Sequence, residues 1–298
     1  MPDQTIPTWR DVSFTTRDGL HLHGRHYPAQ GTHSTSRRPL VCFAGLTRNS
    51  RDFHDLALFL SRPGDSARDI FTLDSRGRGA SDRDPDWRNY SVAVEVTDAL
   101  DFITRLDLHA AAVLGTSRGG LVAMGIATAR PTALGTVIFN DVGPVIDRNG
   151  LSRIMAYVGR TPIPNSWADA ARLVRDMSFE QFPELTAADA DALARQWFNS
   201  TAGMPVQGYD PAIARSLILP DGPLPELWRQ FGAINHLPAL VLRGGNSDLL
   251  SASTVEEMIR RHPNLAAYTV PNEGHAPLLR DAASQTVIRD FLAHTDRH

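Results

Sequence analysis

The sequence contains no lysine, so all 30 of its basic residues are arginines. This absence excludes Schiff-base chemistry and the type of phosphate-binding loop that ends in Gly-Lys. The 33 acidic residues leave a formal net charge of −3. This near-balance argues against nucleic acid or an anionic membrane as the main partner.

Cysteine and long apolar runs are also scarce. The single cysteine, Cys42, lies in the apolar stretch Leu40–Phe43, where we expect a buried structural residue that cannot form an intrachain disulfide. No stretch reaches the roughly 18 apolar residues of a membrane span. Met1–Trp9 is polar and lacks the apolar core of a signal peptide. We therefore expect a soluble, cytoplasmic protein, and a homodimer is left open.

Short apolar runs alternate with helical patterns along most of the chain. Buried parallel strands read as continuous apolar runs, so this alternation predicts an α/β domain with helices on both faces of a parallel sheet. An antiparallel hairpin around Asp18-Gly19 precedes it. The predicted strands are Leu40–Phe43, Ile70–Leu73, Ala111–Leu114, Val137–Phe139, Leu240–Leu242 and Tyr268–Val270.

The stretch from 144 to 235 departs from this alternation. It holds helical segments broken by prolines and no convincing strand. We interpret residues 144–235 as an all-helical cap over the carboxyl edge of the sheet, and residues 1–143 and 236–298 as the core domain. The cap carries large aromatic side chains that are candidates for lining an apolar pocket, although each is also a candidate for the cap's own core. These are Tyr157, Trp197, Phe198, Trp228 and Phe231.

A candidate nucleophile lies in the segment Gly115-Thr116-Ser117-Arg118-Gly119. This segment follows an apolar run and precedes a helical pattern. A strand, Gly-x-Ser-x-Gly and a helix in succession hold a serine in a strained turn with its hydroxyl exposed. Ser117 is therefore predicted to be a catalytic nucleophile.

A nucleophilic serine needs a base and an acid that orients the base. Among the 11 histidines, His275 stands out because it lies in a loop between the last predicted strand and the last helix. Two aspartates, Asp248 and Asp141, follow predicted strands. We favour Asp248 as the acid, and interpret Asp141 as an anchor for the start of the cap.

The reaction also needs two backbone N–H groups that stabilise an oxyanion. One is expected from Arg118, at the amino end of a helix whose dipole favours negative charge. The other is expected from Leu46, since Ala44-Gly45-Leu46 follows a strand and leaves room for a close backbone approach.

These motifs occur in an order that resembles the α/β-hydrolase family, in its branch of helical-cap esterases, lactonases and carbon–carbon bond hydrolases. The resemblance implies an eight-stranded, mostly parallel sheet flanked by helices with an inserted helical cap, and the triad Ser117, Asp248 and His275. The matching segments are Phe43–Thr47, Leu73–Ser81, Leu114–Gly120, Arg243–Asp248 and Gly274-His275.

The chain departs from the family pattern at two positions. Most relatives have His-Gly where this chain has Ala44-Gly45, so we expect its oxyanion loop to be held differently. Arg118 is bulkier and more cationic than the residue usual after the nucleophile, and we expect its side chain to be structural. The family members that cleave haloalkanes or epoxides use an aspartate at the elbow, so Ser117 speaks against those reactions.

The resemblance implies a serine hydrolase that cleaves a small-molecule carboxylic ester or lactone through an acyl-enzyme. It implies no metal and no organic cofactor. Two alternatives stay open: a carbon–carbon bond hydrolase of ring-cleavage products (vinylogous diketones), and a small-molecule receptor of the same fold that turns over slowly. Steady turnover over many cycles would favour an enzyme over a receptor.

Overall fold

The computed structural model describes residues 8–31, 37–218 and 221–296, so most of Met1–Trp9 lies outside the described residues. Its strands are β1 (Arg10–Thr15), β2 (His21–Tyr27), β3 (Leu40–Phe43), β4 (Ile70–Leu73), β5 (Ala111–Thr116), β6 (Leu134–Asn140), β7 (Asn199–Thr201), β8 (Met204–Val206), β9 (Ala239–Gly244) and β10 (Leu265–Val270). Its α-helices are α1 (His54–Ser61), α2 (Val92–Arg105), α3 (Arg118–Ala129), α4 (Arg148–Tyr157), α5 (Trp167–Ser178), α6 (Ala187–Trp197), α7 (Trp228–Gly232), α8 (Ala252–Arg261) and α9 (Ala282–Thr295).

The central sheet has eight strands in the order β1-β2-β4-β3-β5-β6-β9-β10. The pairs β1/β2 and β2/β4 are antiparallel, and every pair from β4 across to β10 is parallel. The predicted hairpin and the predicted parallel sheet are therefore confirmed. Because the carboxyl ends of the parallel strands share one edge, the loops that follow β3, β5, β6, β9 and β10 can converge on one site.

Apolar side chains cover both faces of this sheet. One face packs against α2 and α3, with Phe102 and Val122 in that cluster, and the other packs against α1 and α9, with Leu56 and Ile288. Cys42 is fully buried in the second cluster, as predicted, and burial raises the pKa of its thiol. Among the described residues, no helix combines the length and apolar character needed to cross a bilayer.

Helix starts follow local sequence signals. Ser91 accepts a hydrogen bond from the Val94 amide at the start of α2, and Asp281 accepts one from the Ser284 amide at the start of α9. Such side chains satisfy amide donors that have no partner within the first helical turn. These two side chains therefore mark the positions at which α2 and α9 begin.

The segment from 144 to 235 lies between β6 and β9 and contains α4 to α7. It also contains the short antiparallel hairpin β7/β8, which the sequence analysis did not predict. The last helix of this segment, α7, has five residues and packs against α3. Phe231 is 1% exposed and belongs to the core cluster, with its ring centroid 6.1 Å from that of Phe139 in β6.

We expect Phe231→Ala to lower the free energy of unfolding by about 3–5 kcal/mol, because it opens a cavity between α7 and the sheet. Urea denaturation followed by circular dichroism measures this change. Phe179→Ala is the matched control, since Phe179 is 70% exposed and its loss should shift stability by no more than about 0.5 kcal/mol. Equal effects of the two substitutions would contradict this role for Phe231.

Candidate active site

Ser117 occupies a strained turn between β5 and α3. Its backbone has φ 51° and ψ −116°, a conformation that side-chain-bearing residues rarely adopt. The two flanking glycines permit the turn: a Cβ on Gly115 would lie 2.4 Å from the Gly120 amide nitrogen, and one on Gly119 would lie 2.1 Å from the Phe43 carbonyl oxygen. Close packing of Gly115 against the start of α3, and of Gly119 against the end of β3, therefore explains why the segment reads Gly-x-Ser-x-Gly.

A histidine and an aspartate extend a chain of hydrogen bonds that begins at the Ser117 hydroxyl. Ser117 Oγ lies 2.8 Å from Nε2 of His275, and Nδ1 of His275 lies 2.8 Å from Oδ2 of Asp141. Asp141 is 0% exposed, and its carboxylate also accepts hydrogen bonds from the Gly244 amide (2.8 Å) and the Ser247 hydroxyl (2.6 Å). These contacts hold Asp141 in an orientation that fixes the imidazole ring.

The placement of Asp248 beside His275 was wrong. The carboxylate of Asp248 instead accepts two hydrogen bonds from Arg153 in α4, Nε to Oδ2 at 2.6 Å and Nη2 to Oδ1 at 2.8 Å. The loop after β9 brings the preceding residue, Ser247, to Asp141, while the Asp248 carbonyl accepts the Gly150 amide. The position expected for Asp248 is therefore occupied by Asp141, the competing candidate.

Two polar side chains that the sequence analysis missed support the His275 loop. Asn140, the last residue of β6, donates from Nδ2 to the Pro277 carbonyl (2.9 Å) and to Thr116 Oγ1 (3.1 Å). Gln181 accepts the His275 amide on Oε1 at 2.9 Å. Asn140 was detectable as the residue that ends a predicted strand before Asp141. Gln181 carries no comparable signal, because it lies in the inserted segment.

Glu273 stabilises the same loop from within. Its Oε2 accepts the Leu278 amide at 2.7 Å, which closes the turn that carries His275. Burial raises the pKa of Glu273 to about 7. The carboxyl group is thus a structural acceptor beside the site, and it binds the loop backbone while Ser117 and His275 bind each other and Asp141.

The two residues expected to supply the oxyanion donors lie on different loops beside Ser117. Arg118 is the first residue of α3, where amide N–H groups have no partner within the helix. Leu46 lines the pocket that contains Ser117, and a Cβ built on neighbouring Gly45 would lie 3.7 Å from Ser117 Cβ. The geometry brings the Leu46 loop against the serine.

Two arginine side chains hold the Leu46 loop and the start of α3. Arg78 donates from Nε to the Leu46 carbonyl at 2.8 Å. The Arg118 guanidinium donates to Glu95 (2.7 Å) and to the Tyr90 carbonyl (2.9 Å), so it is structural, as expected. The loop is therefore held by an arginine in a chain that lacks the usual His-Gly.

Ser117 and His275 open into a pocket bounded by the inserted segment. Of the five aromatic residues predicted to line it, Tyr157, Trp197 and Phe198 do so. Trp228 and Phe231 do not, because α7 packs them against the core cluster around α3, and for these two residues the prediction was wrong.

The pocket wall also carries charge. Arg48 and Asp52 both line it and form a bidentate ion pair, Nε to Oδ2 at 2.7 Å and Nη2 to Oδ1 at 2.5 Å. Arg153 lines it too, whereas its partner Asp248 is not among the lining residues. In the described part of the chain, no group of three or more His, Cys, Asp or Glu side chains is arranged to hold a metal ion.

Comparisons with known proteins agree with this architecture. A 3-hydroxybutyrate-oligomer hydrolase from Cupriavidus necator is 33% identical, over 92% of this chain and 94% of that protein. The esterase YbfF from Escherichia coli is 25% identical, over 86% and 92% of the two chains. The crystal structure of an alpha/beta hydrolase from Novosphingobium aromaticivorans has a TM-score of 0.88 at 34% identity, covering 97% of this chain and 99% of that one. Residues 40–288 match the model of the alpha/beta hydrolase family, and the chain belongs to that family.

Proposed function

We propose that the protein is a carboxylic ester hydrolase whose catalytic triad is Ser117, His275 and Asp141. The observation that carries this proposal is the continuous relay from the serine hydroxyl through both imidazole nitrogens to a buried carboxylate, with both distances at 2.8 Å. Asp141 favours the tautomer that keeps the proton on Nδ1, which leaves Nε2 of His275 free to accept the serine proton.

The reaction follows from these positions. Ser117 Oγ attacks the acyl carbonyl as His275 takes its proton, and the amides of Leu46 and Arg118 stabilise the negative charge on the carbonyl oxygen. His275 then donates the proton to the departing alcohol, which leaves an acyl-enzyme. A water molecule, deprotonated by His275, attacks the acyl-enzyme and releases the acid and the free serine.

The relatives support an ester as the bond cleaved. One is named a 3-hydroxybutyrate-oligomer hydrolase and another an esterase. The pocket suits a partly apolar chain, because Tyr157, Trp197 and Phe198 line it together with polar and charged groups. We therefore extend the proposal to short linear esters of hydroxy acids.

Ser117→Ala should abolish hydrolysis of an aryl butyrate and labelling by a serine-directed phosphonate, since removal of a triad nucleophile can cost about 10⁶-fold in kcat. Steady-state assays should include a 3-hydroxybutyrate dimer, a lactone and a vinylogous diketone, so that the preferred bond is identified. More than a few per cent of residual activity in Ser117→Ala would contradict the mechanism. Burst kinetics without turnover in the wild type would support a receptor instead.

The two aspartates can be separated by matched substitutions. Asp141→Asn should lower kcat by about 10⁴-fold, because an amide favours the wrong imidazole tautomer. Asp248→Asn, with the same chemical change, should retain kcat on an uncharged aryl ester within about threefold, since Asp248 does not contact His275. Circular dichroism confirms folding of each variant. A larger loss of kcat in Asp248→Asn than in Asp141→Asn would instead assign the triad acid to Asp248.

A further inference from the structure

The charges that line the catalytic pocket do not balance. Arg48 faces a counter-ion, Asp52, that lies in the pocket wall beside it, and its guanidinium also lies 4.2 Å from the ring centroid of Trp197. Arg153 has its counter-ion, Asp248, outside the lining. Among the described lining residues, Arg153 is thus the cation whose charge is not neutralised from within the pocket.

Arg153 has N–H donors that its ion pair with Asp248 does not use. Its contacts with Asp248 use Nε and Nη2, and a guanidinium has further N–H groups on Nη1. The two side chains are 30% and 28% exposed, so water reaches the pair and screens it. Asp248 therefore orients the guanidinium without saturating it.

We propose that Arg153 binds the free terminal carboxylate of a linear hydroxy-acid ester whose scissile bond lies at Ser117. This proposal rests on the ester hydrolase activity proposed above. A hydroxy-acid dimer or short oligomer carries one free carboxylate, and a planar guanidinium binds a carboxylate through paired hydrogen bonds. Recognition of that end would select short acids over neutral esters of the same length.

The test compares the 3-hydroxybutyrate dimer with its methyl ester, which is uncharged. Because the methyl ester carries a second ester bond, only cleavage between the two hydroxybutyrate units is counted. Arg153→Gln should lower kcat/KM for the acid by about 10- to 100-fold, the value of hydrogen bonds to a charged group. It should change kcat/KM for the methyl ester by less than about threefold. Arg175→Gln is the matched control, because Arg175 is an exposed arginine of the same inserted segment and is not among the pocket residues.

An unchanged preference for the acid in Arg153→Gln, or no preference in the wild type, would overturn the role of Arg153 while leaving the esterase intact. If the wild type cleaves neither compound, ester hydrolysis of this substrate class is wrong. Calorimetry then still tests Arg153, by comparing binding of the dimer acid to Ser117→Ala with and without Arg153→Gln. Equal binding by these two variants would overturn the proposal independently of turnover.

A second feature links the two halves of the oxyanion hole. The buried carboxylate of Glu95, in α2, pairs with Arg78 (Oε1 to Nη1, 2.8 Å) and with Arg118 (Oε2 to Nε, 2.7 Å). Arg78 in turn holds the Leu46 carbonyl. One carboxylate therefore connects the residues that supply both expected oxyanion amides.

The burial of this group favours a rigid link. The side chains of Arg78 and Glu95 are 1% and 3% exposed, and that of Arg118 is 13% exposed. Burial alone would raise the pKa of Glu95, but the two arginines outweigh it and hold that pKa below its usual value. The carboxylate is therefore ionised, and removing it would leave two arginines without their shared partner.

The geometry points to Glu95 as a positioning residue that sets the spacing of the Leu46 and Arg118 amides. Glu95→Gln should lower kcat by about 10- to 100-fold, approaching the roughly 10²- to 10³-fold loss of a whole oxyanion donor. KM should change little, because the oxyanion forms only after substrate binds. The affinity for a trifluoromethyl ketone, which mimics the tetrahedral state, should fall in parallel with kcat/KM.

Asp98→Asn is the matched control for this second proposal. Asp98 is a buried carboxylate on the same helix that pairs with Arg76 instead (2.7 Å), so its loss should lower the melting temperature without lowering kcat. Arg118→Gln removes one link and carries the test if Glu95→Gln does not fold. Loss of stability with unchanged kcat and unchanged ketone affinity in a folded variant would overturn the positioning role.

Discussion

The buried carboxylate of Asp141 is the constraint on which the geometry of the site depends. A carboxylate with no exposure is costly unless donors surround it, and the Gly244 amide, the Ser247 hydroxyl and the His275 ring approach its two oxygens. The hydrogen bonds to Asp141 therefore connect the ends of β6 and β9 to the loop that carries His275. Because β6 is the neighbour of β5 in the sheet, the same point lies within reach of Ser117.

The sequence predicted the parts of the fold and site whose causes are local. The elbow at Ser117 needs glycines at fixed offsets, since Gly115 and Gly119 touch backbone atoms where no Cβ fits. The buried strands are continuous apolar runs, and their positions were predicted to within a few residues. The choice between Asp141 and Asp248 had no local cause. It depends on Ser247, which is 106 residues from Asp141, and on Arg153, which is 95 residues from Asp248.

In the inserted segment, too, the sequence did not predict contacts between residues that are distant along the chain. An apolar helix face reveals that a residue is buried but not which surface buries it. Trp197 and Trp228 therefore looked equivalent, although Trp197 lines the pocket while Trp228 packs with the core and lies under the Arg261 guanidinium, 4.0 Å from its ring centroid. The hairpin β7/β8 has strands of three residues, which are too short to show an alternating pattern.

Because the chain has no lysine, every lysine-type or arginine-type cation near the site is an arginine. These arginines are of two kinds, which differ in how deeply they are buried. Arg76 and Arg78 are each 1% exposed and use several donors at once: Arg76 binds the carboxylates of Asp18, Asp84 and Asp98. A compact ammonium group could not span such partners, whereas a planar guanidinium can. Both arginines are fixed parts of the buried interior, and Arg78 also holds the Leu46 carbonyl.

Arg153 belongs to the second kind. Its pair with Asp248 is reached by water, and ion pairs of that kind contribute only about 0–1 kcal/mol. Exchange of one carboxylate for another, or addition of a second, therefore costs little at Arg153, while it would cost far more at Arg78, where a charge left without a partner would be fully buried. The same side-chain chemistry thus holds the Leu46 loop in place and leaves a cation accessible in the pocket wall.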